Sequence, residues 1–181
     1  MENESRLISI ITGNAWLMEL LRISREQDLP DWYLGAGVIR NTVWDALHNR
    51  PSTVHTDVDL VYHDPDDLTP SPDIAMAHYL QTSYPYCEWN VFNQARAHLK
   101  YPGKVPAAST AEGIATWIET ATAIGLRLEH DNTITICAPY GLNDLFRGII
   151  RKTPLADEQI FAQRRTEKGW TKEWPHLRYS S

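Results

Sequence analysis

Residues 55–64 read HTDVDLVYHD, and the alternation within them is the most informative pattern in the chain. In a β-strand successive side chains point to opposite faces, so Asp57, Asp59 and Val61 share one face while Val58, Leu60 and Tyr62 share the other. Two residues of strand rise set the β-carbons of Asp57 and Asp59 about 6.5 Å apart. Like charges at that separation raise each other's pKa unless a cation lies between them. The pair reads either as part of a metal site or as the wet face of an edge strand.

Working upstream, DWYLGAG is a short strand that runs into glycines, and VIRNTVWDALH places Val38, Ile39, Val43, Trp44 and Leu47 at helical spacing. The turn LGAGVIR (34–40) therefore joins a strand to a helix. Glycines there allow positive φ and close approach of a ligand to the backbone, and a helix start offers unpaired N–H groups and partial positive charge. Gly35, Ala36 and Gly37 can hold a phosphate or form a plain tight turn. The third glycine of a dinucleotide fingerprint and the Gly-Lys-Ser/Thr of a P-loop are both absent. Further upstream, Leu7, Ile10, Ile11, Trp16, Leu17, Leu20 and Leu21 predict a helix over 5–24 whose breaking point is Gly13.

Downstream, HDPDDLTPSPD is a loop that starts a helix running to about Tyr84, and YCEWNVF is a third strand. NQARAHLKY reads as a short helix or irregular turn, and YPGKVPAAS as a connection. Ser109 and Glu112 have capping-box spacing ahead of a helix carrying Ile114, Trp117, Ile118 and Ala121, with Gly125 as its stop. LRLEHDNTITICAP predicts two strands around a His-Asp-Asn turn, and GLNDLFRGII a helix. Residues 157–181 read as a helix followed by an irregular Trp-Pro segment. No repeat or linker divides the chain, which predicts a single α/β domain over 1–181 with a helical C-terminal extension.

The 181 residues are 43% hydrophobic and 22% charged, an ordinary composition for a folded domain with a core. A net charge of −6 and a pI near 5.6 argue against non-specific binding to nucleic acid, which needs a basic surface. Acids replace the basic region of a signal peptide at the N-terminus, and no apolar run reaches the roughly 18 residues of a membrane span. The expectation is a cytoplasmic protein with no membrane partner. Cys87 and Cys137 lack metal-ligand spacing and read as buried thiols. Seven tryptophans and eight tyrosines suit a packed core or a pocket for a flat ligand, with most of them assigned to the core.

Together, YLGAGVIRNTVWDALH, TDVDLVYHD, WNVFNQARAHL and APYGLNDLF resemble a bacterial nucleotidyltransferase-like family of the DNA polymerase β-like nucleotidyltransferase superfamily, from about Trp32 to Trp174. The resemblance implies an α/β fold of the α+β type, with a mixed central sheet and flanking helices. It further implies that Gly35, Ala36 and Gly37 hold the triphosphate of an NTP, and that Asp57 and Asp59 ligate Mg (or Mn). Two such cations can activate an attacking hydroxyl and neutralise leaving pyrophosphate. The acceptor is unknown: a small molecule, RNA or protein. Nineteen residues separate Gly37 from Asp57, more than is usual in the superfamily, with NRPST looping out.

Superfamily enzymes add a third acid on a later strand, and Asn90 stands at that position. Asparagine can coordinate through its carbonyl but brings no negative charge and cannot serve as a base. Glu88, two positions earlier on the same face, is the substitute acid or an exposed rim residue. Arg40 reads as a phosphate clamp, a carboxylate partner or a solvated side chain. Asn93, Gln94 and Arg96 would line the cleft, and His98 would be structural. Asp45 reads as an exposed helix carboxylate, His55 and His63 are not assigned as ligands, and Asp144 would stabilise a helix start. Arg164, Arg165 and Lys168 read as a solvated basic face. The leading activity is metal-dependent nucleotidyl transfer. The alternatives are a non-catalytic nucleotide- or protein-binding module and a magnesium-dependent phosphohydrolase.

Overall fold

The computed structural model describes residues 2–51, 54–100, 103 and 105–180. Ser52 and Thr53 of the expected NRPST loop, and Tyr101, Pro102 and Lys104 of the expected connection, lie outside the described residues. The chain opens with α1 (Glu2–Thr12) and α2 (Ala15–Arg25), which meet at a 92° bend at the Gly13 break. Asn14 caps α2 by accepting from the Leu17 N–H at 3.0 Å. Next come β1 (Tyr33–Gly35), α3 (Gly37–Leu47), β2 (Asp57–Tyr62), α4 (Ser71–Ser83) and β3 (Glu88–Asn93). A 3-10 turn over Gln94–Arg96 leads into α5 (Ala97–Lys100), followed by α6 (Thr110–Ala115), β4 (Gly125–Leu128) and β5 (Ile134–Cys137). The C-terminal part comprises α7 (Asn143–Phe146), β6 (Ile149–Arg151), α8 (Glu158–Lys168), α9 (Trp170–Glu173) and β7 (Arg178–Ser180).

Five of the described strands form a sheet in the order β3-β2-β1-β4-β5, in which β2 and β3 are parallel and the other pairs antiparallel, and β6 and β7 form a second, two-stranded parallel sheet. A parallel pair needs a crossover, and α4 supplies it. This mixed sheet with flanking helices is the α/β architecture that the motifs implied. Its main core joins Leu7, Leu17 and Leu20 of the N-terminal helices to Leu34, Val58 and Leu60 of the sheet and to Trp170, Trp174 and Leu177 near the C-terminus. A smaller cluster of Tyr33, Val61, Ile114, Ala123 and Cys137, flanked by Trp117, covers part of the opposite face. Along β2, Asp57 is exposed and Asp59 half-buried, while everything from Leu60 to Tyr62 is buried. The carboxylates thus occupy the end of a strand otherwise covered on both faces.

Four local expectations are corrected. The capping-box helix stops at Ala115, and Gly125 begins β4, where an added Cβ would lie 2.9 Å from the side chains of Ile114 and Tyr33. Ser109 does accept from the Glu112 N–H at 3.2 Å, but the Glu112 carboxylate accepts from the Ala108 N–H instead of that of Ser109. GLNDLFRGII divides into α7 and β6, with Gly148 between them at φ 63°. Apolar Ile149 and Ile150 extend because Arg178–Ser180 supply a parallel partner strand. That same pairing replaces the irregular tail end with β7.

Asp45, read as an exposed carboxylate, is buried. It accepts from Trp174 Nε1 at 2.9 Å and faces His55 Nε2 at 3.0 Å, so it ties α3 to the C-terminal segment. Asp144 bonds Thr120 Oγ1 at 2.8 Å and Arg151 Nε at 3.0 Å across the chain. Among the described residues no single helix is long and apolar enough to cross a membrane.

Asp73 on α4 organises the far wall of the sheet. It accepts from Tyr62 Oη at 2.7 Å, from the Asn93 N–H at 3.2 Å and from Arg96 Nε at 2.8 Å, with a second contact from Arg96 Nη2. Removing one member of a buried charge pair strands the other, at about 3–5 kcal/mol. Asp73→Ala should therefore lose roughly that much unfolding free energy in chemical denaturation, whereas an exposed carboxylate such as Asp66 should lose almost none.

Candidate active site

Strand register assembles the site. Gly35 of β1 lies opposite Asp59 of β2, Asp59 lies opposite Asn90 of β3, and Asp57 lies opposite Glu88. Asn90 Nδ2 donates to Asp57 Oδ1 at 2.8 Å, so the two strands are cross-linked at the carboxylate row. Asp59 and Asn90 line a cleft of about 960 Å³, together with Ala36, Trp117, Thr122 and Arg164. Glu88 is exposed and lies outside that lining.

The turn between β1 and α3 takes its shape from Ala36. Its φ of 58° and ψ of −125° belong to a conformation that glycine adopts readily and alanine does not. Strain of this kind costs about 1–3 kcal/mol and persists where surrounding structure enforces it. Here the Ala36 N–H donates to the Ile124 carbonyl at 3.2 Å and its carbonyl accepts from the Arg40 N–H at 3.1 Å. No side chain caps α3, and the first N–H groups of a helix have no partner within it. An eleven-residue helix thus presents an uncapped, partly positive end beside Asp59.

The two glycines have different reasons for being glycine. A Cβ on Gly35 would lie 2.6 Å from Trp117 Cη2 and 3.1 Å from the Ile124 carbonyl oxygen, whereas one on Gly37 would meet Arg40 Nη2 at 3.7 Å, an ordinary contact. Neither has positive φ; the strained residue is the alanine between them. Gly35→Ala should destabilise by about 1–3 kcal/mol through overpacking. Gly37→Ala should melt near wild type, so that any loss of NTP affinity it causes reports on ligand approach. Thermal melts paired with NTP titrations check both.

Asp59 is pushed up to about 6, first by burial and next by Asp57, against the pull of Arg40, Lys168 and Arg164. Arg40 is buried. Its Nη1 donates to Thr122 Oγ1 at 2.7 Å, its Nε and Nη2 donate to Asn41 Oδ1 at 3.1 and 2.9 Å, and its guanidinium lies 4.4 Å from the Trp170 ring centre. Burial pulls Arg40 down to about 10, well within the charged range at neutral pH. Arg40 thus acts on Asp57 and Asp59 as a fixed positive field behind Thr122, and lies outside the cleft lining.

A divalent ion suits this donor set. Asp57 and Asp59 are hard oxygen ligands on one face, and the raised Asp59 marks negative charge that its surroundings leave only partly compensated. Among the described residues no group of three or more histidine, cysteine or acidic side chains is gathered for a metal. Magnesium commonly takes one or two protein carboxylates and fills its remaining positions with water and substrate phosphate. Since the folded pKa of Asp59 lies above the usual carboxylate value, its ionisation costs stability above about pH 6, and that cost is relieved as pH falls toward 4. A bound cation needs the ionised pair. The gain in melting temperature on adding MgCl₂ should therefore be larger at about pH 7.5 than at about pH 5, and equal gains at both would place ion binding elsewhere.

The sequence profile of a family described as nucleotidyltransferase matches residues 22–179. The chain belongs to that nucleotidyltransferase family. Solved structures agree with the assignment. The chain superposes with a TM-score of 0.88, at 27% identity, on a protein whose NMR structure reveals a CCA-adding enzyme head domain, covering 98% of this chain and 95% of that one. A CCA-adding enzyme complexed with ATP matches at 0.59 and 14% identity, over 96% of this chain and 42% of its own. The Thermotoga maritima CCA-adding enzyme complexed with tRNA matches at 0.58 and 14%, over 97% and 42%. The chain thus spans less than half the length of those two enzymes, and its likeness to them is one of fold. No curated protein matches its sequence.

Of the other residues singled out in the sequence, Asn93 is fully buried. Its amide donates to the carbonyls of Asp64 and Asp67 at 2.7 and 3.0 Å, and its Oδ1 caps the following turn at the Ala95 N–H. That replaces a cleft-lining role by a structural one. Arg96 does line the cleft, held by Asp73 and lying 4.5 Å from the Phe92 ring centre, and buried Gln94 lines it too. Sequence reading missed Glu119, buried in the segment after α6, and Arg164 on α8, which binds it through Nε at 2.7 Å and Nη2 at 3.2 Å. Arg164 had the pattern of a solvated helix face, and only its buried partner distinguishes it.

Proposed function

We propose that this protein transfers a nucleotidyl group from an NTP to an acceptor hydroxyl with the help of magnesium or manganese. The observation that carries the reading is the row Gly35–Asp59–Asn90 across three strands, with the strained Ala36 turn and the open end of α3 at one side of it. The turn and the helix start would receive the triphosphate through backbone N–H groups. Asp57 and Asp59 would hold the cation, which when bound supplies charge neutralisation at the phosphates. The acceptor oxygen forms a bond to the α-phosphorus as the bond to the bridging oxygen breaks, and that electron pair departs with pyrophosphate. With Asp57 and Asp59 assigned to the cation and Asn90 an amide that donates to Asp57, the hydroxyl proton passes to solvent. The complexes of CCA-adding enzymes with ATP and with tRNA support an NTP donor and include RNA among the acceptor classes.

Asn90 favours one second reading, a nucleotide-binding module without turnover, because an amide cannot take a proton. Incubation with each α-labelled NTP, Mg²⁺, and RNA, protein or small-molecule fractions of a cell extract separates these. Label in an acceptor with matching pyrophosphate release supports transfer, and tight NTP binding without label supports the module. Orthophosphate release without labelled acceptor would mean that the same aspartates serve a phosphohydrolase.

A further inference from the structure

Arg164 is presented to the cleft in a way that a merely structural ion pair does not require. It sits on α8, eleven residues long, in the segment after the second, two-stranded sheet begins, and it reaches back to the cleft that Ala36 and Asp59 line. Its Nε and Nη2 bind the two oxygens of Glu119 side-on. Glu119 is rigidly placed: its side chain is 1% exposed, and its carbonyl accepts from the N–H groups of both Thr122 and Ala123 at 2.9 Å. Arg164 itself is 27% exposed, and among the described residues its Nη1 makes no hydrogen bond. A guanidinium has five N–H donors in a planar fork, so anchoring one edge leaves the other free to bind an anion. Arg40 cannot take this part, because its Nη1 is engaged by Thr122, its Nε and Nη2 by Asn41, and it lies outside the cleft lining.

We infer that Arg164 is a triphosphate-binding residue, aimed at the phosphates opposite the Ala36 turn, and that Glu119 is the positioning residue that aims it. The inference rests on the NTP-binding reading of the Asp59 site. It assigns to α8 a share of the substrate site that its charge pattern alone did not reveal. Glu119 is thereby also excluded as the missing third acid, since its carboxylate is occupied by Arg164.

The test is calorimetric titration with ATP, CTP, GTP and UTP, and with the corresponding monophosphates, in the presence of Mg²⁺. The proteins are wild type, Arg164→Lys, Arg164→Gln and the double variant Arg164→Gln, Glu119→Gln, which avoids stranding a buried carboxylate if Arg164→Gln alone fails to fold. Loss of a hydrogen bond to a charged group should weaken binding of the preferred triphosphate by about 10- to 100-fold. Monophosphate binding should stay at the wild-type level, and Arg164→Lys should recover part of the loss as a point charge. Unchanged triphosphate affinity in a folded variant overturns the inference while leaving the NTP site intact. Equal loss for triphosphate and monophosphate, with a matching fall in melting temperature, also overturns it and makes the pair structural. A wild-type protein that binds no NTP overturns both the inference and the site on which it rests.

Discussion

Asp59→Asn should reduce nucleotidyl transfer by about 10³-fold or more, because a bound cation supplies several kcal/mol of charge stabilisation to the reaction and each 1.36 kcal/mol is tenfold in rate. Asp59 lies between Gly35 and Asn90, at the centre of the row, and lines the cleft. The same substitution removes a half-buried carboxylate that is held at about 6 by burial and by Asp57. The variant should consequently melt no lower than wild type at neutral pH, and should lose the Mg²⁺-dependent rise in melting temperature. Rate measurements with α-labelled NTP, set beside melts with and without Mg²⁺, test the pair of outcomes. An inactive variant that is also unfolded would mean a structural role; a folded variant with wild-type transfer would move the metal site away from β2.

Asn90→Asp should raise transfer by about 10²- to 10⁴-fold, the usual worth of a well-placed general base. Asn90 stands in register with Asp59 and donates to Asp57 Oδ1. An aspartate there exchanges a donor for a third carboxylate, which in the absence of cation repels its neighbours and lowers stability. With Mg²⁺ present, the extra ligand strengthens ion binding and adds a group that can accept a proton. Glu88→Gln serves as the control, since Glu88 is exposed and outside the cleft lining, and it should transfer at the wild-type rate. If Glu88→Gln abolishes activity in a folded protein, Glu88 is the working acid instead. If neither substitution changes transfer or Mg²⁺ affinity, the β3 position contributes nothing to the chemistry.

Much of this site is written locally. The period of two in DVDLVY places Asp57 and Asp59 on one face whatever the strand pairs with, and the pattern in VIRNTVWDALH makes α3 follow the glycine turn directly. Gly13 marks the bend between α1 and α2 because glycine there ends a helix that apolar spacing alone would continue. The same local logic misled where a partner strand decided the outcome: Ile149 and Ile150 would serve a helix or a strand equally, and β7 is what makes them a strand.

What only the tertiary structure decided is which distant groups meet. Glu119 and Arg164 lie 45 positions apart, and Asp45 and Trp174 lie 129 apart, and nothing in the neighbourhoods of Glu119, Arg164 and Asp45 distinguishes them from solvated charges. Gly35 is glycine because Trp117 crosses it, and positive φ falls on Ala36 because Ile124 and Arg40 hold both sides of its peptide. Backbone geometry ties side chains two, three or four residues apart to a face, so those relations are determined by sequence spacing. Contacts across the sheet and from α8 depend on the path of the whole chain, because burial is set by what else packs there, and it is burial that turns an ordinary charge into a paired and oriented one.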